Sequence, residues 1–503
     1  MFMDSKILSR YKIFTELTEE KALEWFDYSQ HKFINHIDTM YYVVYPAVEE
    51  WRTSEMKQSF CGYLRSVKEA ADSCGEPQDI FEDVAEGIQV KPFFGFGFYA
   101  LHFGKQDFFD VFVAESPPNK DTPPVFVQLR SNYLWTMGAK KSFDYSVEII
   151  TKILDGFGIA VERIQENRID YAYHTNYIQD LLNFFPEQHL NNMQISEFKR
   201  WHKEGDFAFD DIFCDYFTLG RRKSNNIFLR VYNKSKEVIE MGYKQFFVNI
   251  WYDCGLISQY DKFLLEKAFI YGKYDAVQKA RCAWYMCYGE NPAIKLDIME
   301  LNENPDTPAK SYKKLADKLV PDLTVVCNVE FQTKRKYYDR LDIPLITTET
   351  GAKQSVYNIF ECYQTILDKL TCGGDYERNG CIRFIKYKGD WAEIPRLKRP
   401  VASWWQLLQN CKPYELGSDL NFEILRKYQV SLDIERRKNC ALSGIASNIA
   451  YYKKSKDTPF ENDLYDLVSS LNDNDLRYYN RNKIKKYNEL KKKGLVIDDE
   501  SNC

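Results

Sequence analysis

Arg230, Tyr232 and Lys234 fall at alternate positions in the run from Gly220 to Glu237, GRRKSNNIFLRVYNKSKE. Alternate side chains of a strand share a face. The run therefore predicts Ile227, Leu229 and Val231 toward a core, with Asn226, Phe228, Arg230, Tyr232 and Lys234 opposite. A phenol flanked on its own face by two cations is suited to attacking, or holding, a phosphodiester. The run carries six basic side chains and one acid in a chain whose formal net charge is −5. That local reversal suggests a site for an anion.

Two further runs predict strands of the same kind. In Arg168 to Thr175 (RIDYAYHT), Ile169, Tyr171 and Tyr173 share one face, and Arg168, Asp170 and His174 the other. In Val325 to Arg335 (VVCNVEFQTKR), Cys327, Val329 and Phe331 alternate with Asn328, Glu330, Gln332 and Lys334. Solvent is the plain alternative for each run, because antiparallel sheets often leave one face wet. Three such faces, each offering a different chemical part, make a shared site an equal contender.

The segment GRRKS, followed by RVYNK and Glu237, resembles the signature of the replication initiation factor family, Rep_trans. That family covers initiators of rolling-circle plasmids and relaxases of some integrative conjugative elements. Its members show a glycine–x–x–x–serine opening, an Arg–hydrophobic–Tyr–(Asp/Asn)–Lys strand and a glutamate shortly after. Here these are Gly220, Ser224, Arg230, Tyr232, Asn233, Lys234 and Glu237. Arg168 to Asp170 (RID) resembles the upstream strand, and Asn328 to Lys334 (NVEFQTK) the downstream strand that presents a glutamate. Ile382 to Phe384 (IRF), with Pro400 to Trp405 (PVASWW), resembles the closing part of the domain. The match spans roughly residues 91 to 410, with motifs at those four places.

The resemblance implies transesterification. Tyr232 would attack a phosphodiester in single-stranded or extruded DNA and become joined to the 5′ phosphate. The released 3′ hydroxyl could prime replication, and a second exchange would rejoin the strand. The covalent link conserves the bond's energy, so no nucleotide cofactor is needed. Arg221, Arg222, Lys223, Ser224, Lys334 and Arg335 are the expected DNA contacts. The resemblance also implies a host or element helicase, admits a homodimer, and points to a bacterial plasmid, integrative element or phage as the source.

The chemistry sets its own requirements. A free tyrosine has a pKa of about 10, and nearby positive charge lowers it. Arg230 and Lys234 could supply that charge, as could a divalent metal that also neutralises phosphate oxygens. Mg²⁺ and Mn²⁺ prefer oxygen ligands, which makes Asp170 and Glu330 the natural pair and Glu237 a third candidate. Arg230 is the expected phosphate contact, since its planar fork donates two parallel bonds. The six histidines include no pair separated by one residue. His174 shares the Asp170 face as a third ligand or phosphate contact, or as a partner of a backbone group.

Each residue has a plainer reading. Tyr232 could be one half-buried strand tyrosine among 36. Arg230 and Lys234 could form surface ion pairs, which are worth little. Gly220 could simply permit a turn. Trp404 and Trp405 read as packing rather than a stacking platform. A non-catalytic DNA-binding regulator with the same fold is the rival function.

Composition frames these readings. At 503 residues, 45% hydrophobic and 28% charged, the chain is expected to be globular with two or three domains. Its net charge does not mark a general nucleic-acid binder, so attraction must act locally. Thirteen cysteines without a C-x₂-C pair predict reduced thiols in a cytoplasm. No apolar stretch approaches about 20 residues, so no membrane span is expected.

The elements that must position the site read as an α+β fold with a central antiparallel sheet and packed helices. Residues 1–90 are expected to be a helical N-terminal region, 91–410 the catalytic domain and 411–503 a helical, locally basic C-terminal region. Strands are expected at Phe94 to Tyr99, Asp107 to Glu115 and Val125 to Leu134, and a helix at Val147 to Phe157. A mainly helical insertion from Glu240 to Gly289 should pack on the sheet's apolar side. A helix from Ser355 to Thr371 should stop at Gly373. Between Arg477 and Lys493 lie eight basic residues and one acid. That helix is either simply solvated or a contact to DNA backbone.

Overall fold

The computed structural model describes residues 31–46, 51, 55–119, 122–184, 193–195, 206–210, 213–220, 226–304, 307–341, 343–346, 353–354, 356–386, 393–395, 398–414, 431–445 and 460–492. Its strands in chain order begin with β1 (Phe33–Pro46), β2 (Gln78–Asp79), β3 (Ile88–Val90), β4 (Leu101–Lys105), β5 (Phe109–Val113), β6 (Val125–Leu129) and β7 (Val161–Thr175). They continue with β8 (Met193–Ile195), β9 (Asp206–Asp210), β10 (Phe213–Leu219), β11 (Ile227–Asn233), β12 (Cys327–Lys334), β13 (Lys353–Gln354) and β14 (Ile382–Phe384). The main sheet runs β2-β3-β4-β5-β6-β1-β7-β12-β11-β10-β9. All its neighbours pair antiparallel except β13, which pairs parallel with β7. The fold is α+β, as the sequence predicts.

The sheet has two unlike faces. On one, Met40, Tyr42, Val111, Val127, Ile169, Tyr171, Val329, Phe331, Leu229 and Val231 belong to a single buried core. The helix Ala139–Gly156 closes over it with Phe143, Ile150, Ile153 and Leu154. Trp404 and Trp405 join this core against Phe384, so they pack rather than present a platform. The opposite face carries the polar positions of β7, β12 and β11. A second core covers one end of that face, where Ile34 and Ala172 meet Trp135, Phe247 and Trp251.

Several expectations are corrected here. Residues 31–90 are only partly helical: a helix spans Glu55–Cys74, but β1 lies at the centre of the sheet between β6 and β7. Its sequence, FINHIDTMYYVVYP, is dense in branched and aromatic residues that favour a pleated surface. The LTEEKALEWFDYSQ run lies outside the described residues. Phe94 to Tyr99 forms a turn rather than a strand, with Gly95 at φ 140° and Gly97 at φ 55°. The 240–289 insertion packs on the polar-bearing face, not the apolar one, because Ala172 and Ile34 open an apolar landing there. The late helix begins at Tyr363, not Ser355, and its left-handed cap falls on Cys372 at φ 56°. The basic tail is helical over Asp473–Lys492, with Tyr478 and Tyr479 exposed. Among the described residues no helix is long and apolar enough to cross a membrane.

Candidate active site

Strand register fixes which groups meet. One row across the sheet reads Ile34, His174, Asn328, Tyr232 and Tyr216. The next reads His36, Ala172, Glu330, Arg230 and Thr218. Asp170 lies one row further on, opposite Gln332. Same-face neighbours one row apart on adjacent strands remain within reach of long side chains. The three polar runs therefore do share a site.

Tyr232 sits at its centre, 8% exposed. Its hydroxyl accepts from Lys234 Nζ at 3.0 Å and from Asn328 Nδ2 at 3.0 Å, and donates to Glu330 Oε2 at 3.2 Å. The Arg230 guanidinium lies 4.1 Å from the ring centroid. Arg230 Nη2 reaches Glu330 Oε1 and Oε2 at 3.4 and 3.3 Å. Its Nε is buried without a hydrogen-bond partner, while a third of the side chain remains exposed. That geometry suits an anionic oxygen arriving beside the phenol.

Charge at the phenol departs from expectation. Burial pushes the Tyr232 pKa well above its ordinary value, and Glu330 and Glu237 add to the rise. Lys234 and Arg230 pull it down but do not win. Desolvation outweighs the two cations because each cation is itself shared with a carboxylate. The phenol is therefore protonated at rest, with its proton already aimed at Glu330.

Lys234 is not on the strand. Asn233 ends β11 and caps the helix Lys234–Glu240, its side chain accepting from Lys236 N at 2.9 Å. Lys234 is 1% exposed and turns back toward the phenol. It also bonds Glu237 at 3.1 and 3.2 Å and lies 3.8 Å from Asp38. Burial would lower its pKa, yet Tyr232, Asp38 and Glu237 hold it well above the ordinary value. It stays charged, but it is too buried to contact DNA itself.

The three acids differ. Asp170 is clamped by Arg168 through Nε at 2.8 Å and through Nη2. Burial first and the Glu330 charge second push its pKa up to about 7. Glu237 does not join the pair, since Lys234 and Lys244 hold it and drive its pKa down despite burial. Asp38 does lie near, and the sequence reading missed it. It occupies a bulge in β1, between the Ile37–Tyr171 and Thr39–Asp170 pairs. Its Oδ1 accepts from Trp135 Nε1 at 2.9 Å. Burial would raise its pKa, and the nearby lysines reverse that.

His174 is excluded as a metal ligand by its tautomer. Trp251 Nε1 donates to His174 Nδ1 at 3.0 Å, and an indole can only donate. The neutral ring must then carry its proton on Nε2, the atom a metal would need bare. Burial pushes its pKa down to about 3, so the neutral form prevails. Trp135 stacks on it at 4.7 Å.

The expected DNA contacts divide. Arg221, Arg222, Lys223 and Ser224 lie outside the described residues, although Gly220 before them adopts φ 84°, as a turn requires. Lys334 is half-buried on the Asp170 face, and burial with Arg168 nearby lowers its pKa. Arg335 opens the helix Arg335–Tyr338 and leaves that face, pairing with buried Glu166 at 2.6 Å. It also lies 4.8 Å from the Tyr357 ring. Its place is structural, because the strand parity ends one residue earlier.

Among the described residues no group of three or more His, Cys, Asp or Glu is arranged to hold a metal ion. Asp170 and Glu330 still suit a hard cation. The Glu330 charge raises the Asp170 pKa, and Asn328 Oδ1, next to Glu330 on β12, is buried without a partner.

No family model matches the chain, and no curated protein matches it. A solved structure of the rolling circle replication initiator protein from Geobacillus stearothermophilus is similar, with a TM-score of 0.32 and 10% identity. The likeness covers 76% of this chain and 100% of that chain. Likeness at that level carries no argument, and the site stands on its own geometry.

Proposed function

We propose that the chain nicks and rejoins a DNA strand as a replication initiator or relaxase, with Tyr232 as the nucleophile. The observation that carries this reading is the Tyr232 hydroxyl donating to Glu330 while Lys234 and Asn328 donate to it. Glu330 Oε2 takes the phenol proton as Tyr232 Oη bonds to phosphorus. The bond from phosphorus to the 3′ oxygen breaks, and that oxygen leaves with the electron pair and is protonated from solvent. Lys234 stabilises the negative charge developing on Oη, and Arg230, whose side chain is one-third exposed, holds the phosphate through its guanidinium. Asp170 and Glu330 would hold Mg²⁺ or Mn²⁺, which would withdraw charge from the phosphate oxygens. The motif resemblance around Gly220–Glu237 supports the DNA substrate and the 5′-phosphotyrosine polarity.

One observation favours the rival, a non-catalytic DNA-binding regulator. Each acid already has a cation beside it, as a self-contained polar cluster would. An adduct assay decides between them. Tyr232→Phe should abolish a covalent protein–DNA adduct on a supercoiled plasmid carrying the element's origin, in Mn²⁺, while retaining the parent's circular dichroism. Undiminished nicking by that variant ends the assignment.

A further inference from the structure

The polar-bearing face does not stop at the site. Past Asp170 its rows continue through Arg168 opposite Tyr41, then Gln128 opposite Tyr41 on β6, and Phe126 opposite Val43. The helical layer that covers His174 and Ala172 does not reach them, and Tyr41, Tyr45 and Phe126 remain half-exposed. Arg168 lies 5.1 Å from the Tyr41 ring, and Arg163 lies 4.1 Å from the Tyr45 ring. Tyr41 and Phe126 are 5.4 Å apart.

Beyond Phe126 the 93–100 turn folds over the same face. Phe94 and Phe96 pack on Phe112 and Phe98 on Tyr99, yet Phe93 stays 73%, Phe96 51% and Phe98 47% exposed. The turn is firmly held. Lys68 Nζ donates to the carbonyls of Phe94 and Ala100 at 3.0 and 2.7 Å, and Tyr99 Oη donates to Pro123 O at 2.9 Å. A side chain at Gly95 would meet the Ala100 and Tyr99 carbonyls at 3.0 Å. Burial normally hides phenylalanine, so three exposed rings on an anchored turn mark a contact surface.

We infer that this face is a stacking platform for single-stranded DNA, leading from the Tyr232 site across Arg168 and Tyr41–Phe126 to Phe96 and Phe98. The inference rests on the proposed nicking function for the identity of its ligand. Aromatic rings on an open sheet face, with guanidinium groups beside them, match bases and phosphates together. Arg168 joins the two regions, since it clamps Asp170 and also lies beside Tyr41. From β11 to β5 the path crosses five strand spacings, about 24 Å at about 4.8 Å each. That length holds several nucleotides of an unpaired strand. A duplex, whose bases are stacked inside, gains nothing from the rings.

The test is fluorescence anisotropy of the full chain with labelled oligo(dT) and with a duplex of equal length, without metal. Phe96→Ala/Phe98→Ala and Tyr41→Ala/Arg163→Ala should each weaken oligo(dT) binding about tenfold or more, with duplex binding little changed. Tyr465→Ala, which removes an exposed ring elsewhere, should change neither. Phe96 and Phe98 also touch Phe112 and Tyr99, so the duplex serves as the control. A damaged fold weakens binding of both ligands alike, whereas a lost platform weakens oligo(dT) binding alone. If both platform variants bind oligo(dT) like the parent, or the parent prefers duplex, the inference is overturned. Nicking by the same variants separates the two ideas. Normal oligo(dT) binding by active variants sinks only the platform, whereas undiminished nicking by Tyr232→Phe sinks only the nucleophile.

Discussion

Asp170 and Tyr232 show how burial redirects chemistry that residue types alone suggest. Cations beside a phenol predict a lowered pKa, yet desolvation and two acids reverse the sign. Under the proposed function, activation would come from proton transfer to Glu330 during attack rather than from a standing phenolate. Asp170 is pushed up to about 7, so protons would compete there with the proposed metal below neutrality. Mn²⁺ affinity, measured by calorimetry, should fall about tenfold per unit as pH drops below about 7. Asp170→Asn should weaken binding at pH 8 and flatten that dependence. An unchanged slope in the variant would assign the proton to another group. At this scale Arg230, Tyr232, Asp170 and Glu330 were legible because strict alternation placed them on one face. Asp38 was not, since a bulge breaks the alternation that would have revealed it.

At the scale of elements, the junction from β11 to the helix Lys234–Glu240 decides the site's shape. Asn233 ends the strand, and Lys234 returns to the phenol from the first helical turn. The asparagine was a readable cap, but alternation alone carried Lys234 onto the strand face. Lys234→Met should destabilise the fold by about 3 kcal/mol in urea at pH 7, because it strands buried Asp38 and partly buried Glu237. A loss below about 1 kcal/mol would show that water reaches those acids. The 93–100 turn teaches a similar lesson. Phenylalanine alternating with glycine resembles a strand in composition, but glycines at positive φ bend it into a turn.

Across the whole molecule, the sheet's antiparallel character and its apolar face were readable from local patterns. The extent of the helical layer was not, because the insertion's many aromatic residues suit either face equally. Ala172, small on the face that carries Asp170 and His174, and Ile34 on the neighbouring strand mark where that layer lands. The site lies at the layer's border, with one side covered and the other flanked by half-exposed Tyr41 and Phe126.

The central place of β1 has a consequence for how the protein is made. Its partners run to Leu129 on one side and Thr175 on the other. At about 5–20 residues per second, the emerging aromatic strand waits on the order of ten seconds for its second neighbour. Nascent chains released before Thr175 should sediment as aggregates, whereas those released past β7 should pellet less in the same ribosome-release assay. Translation speed through that interval, and whichever chaperone shields the lone ribbon, would then govern the yield of active molecules.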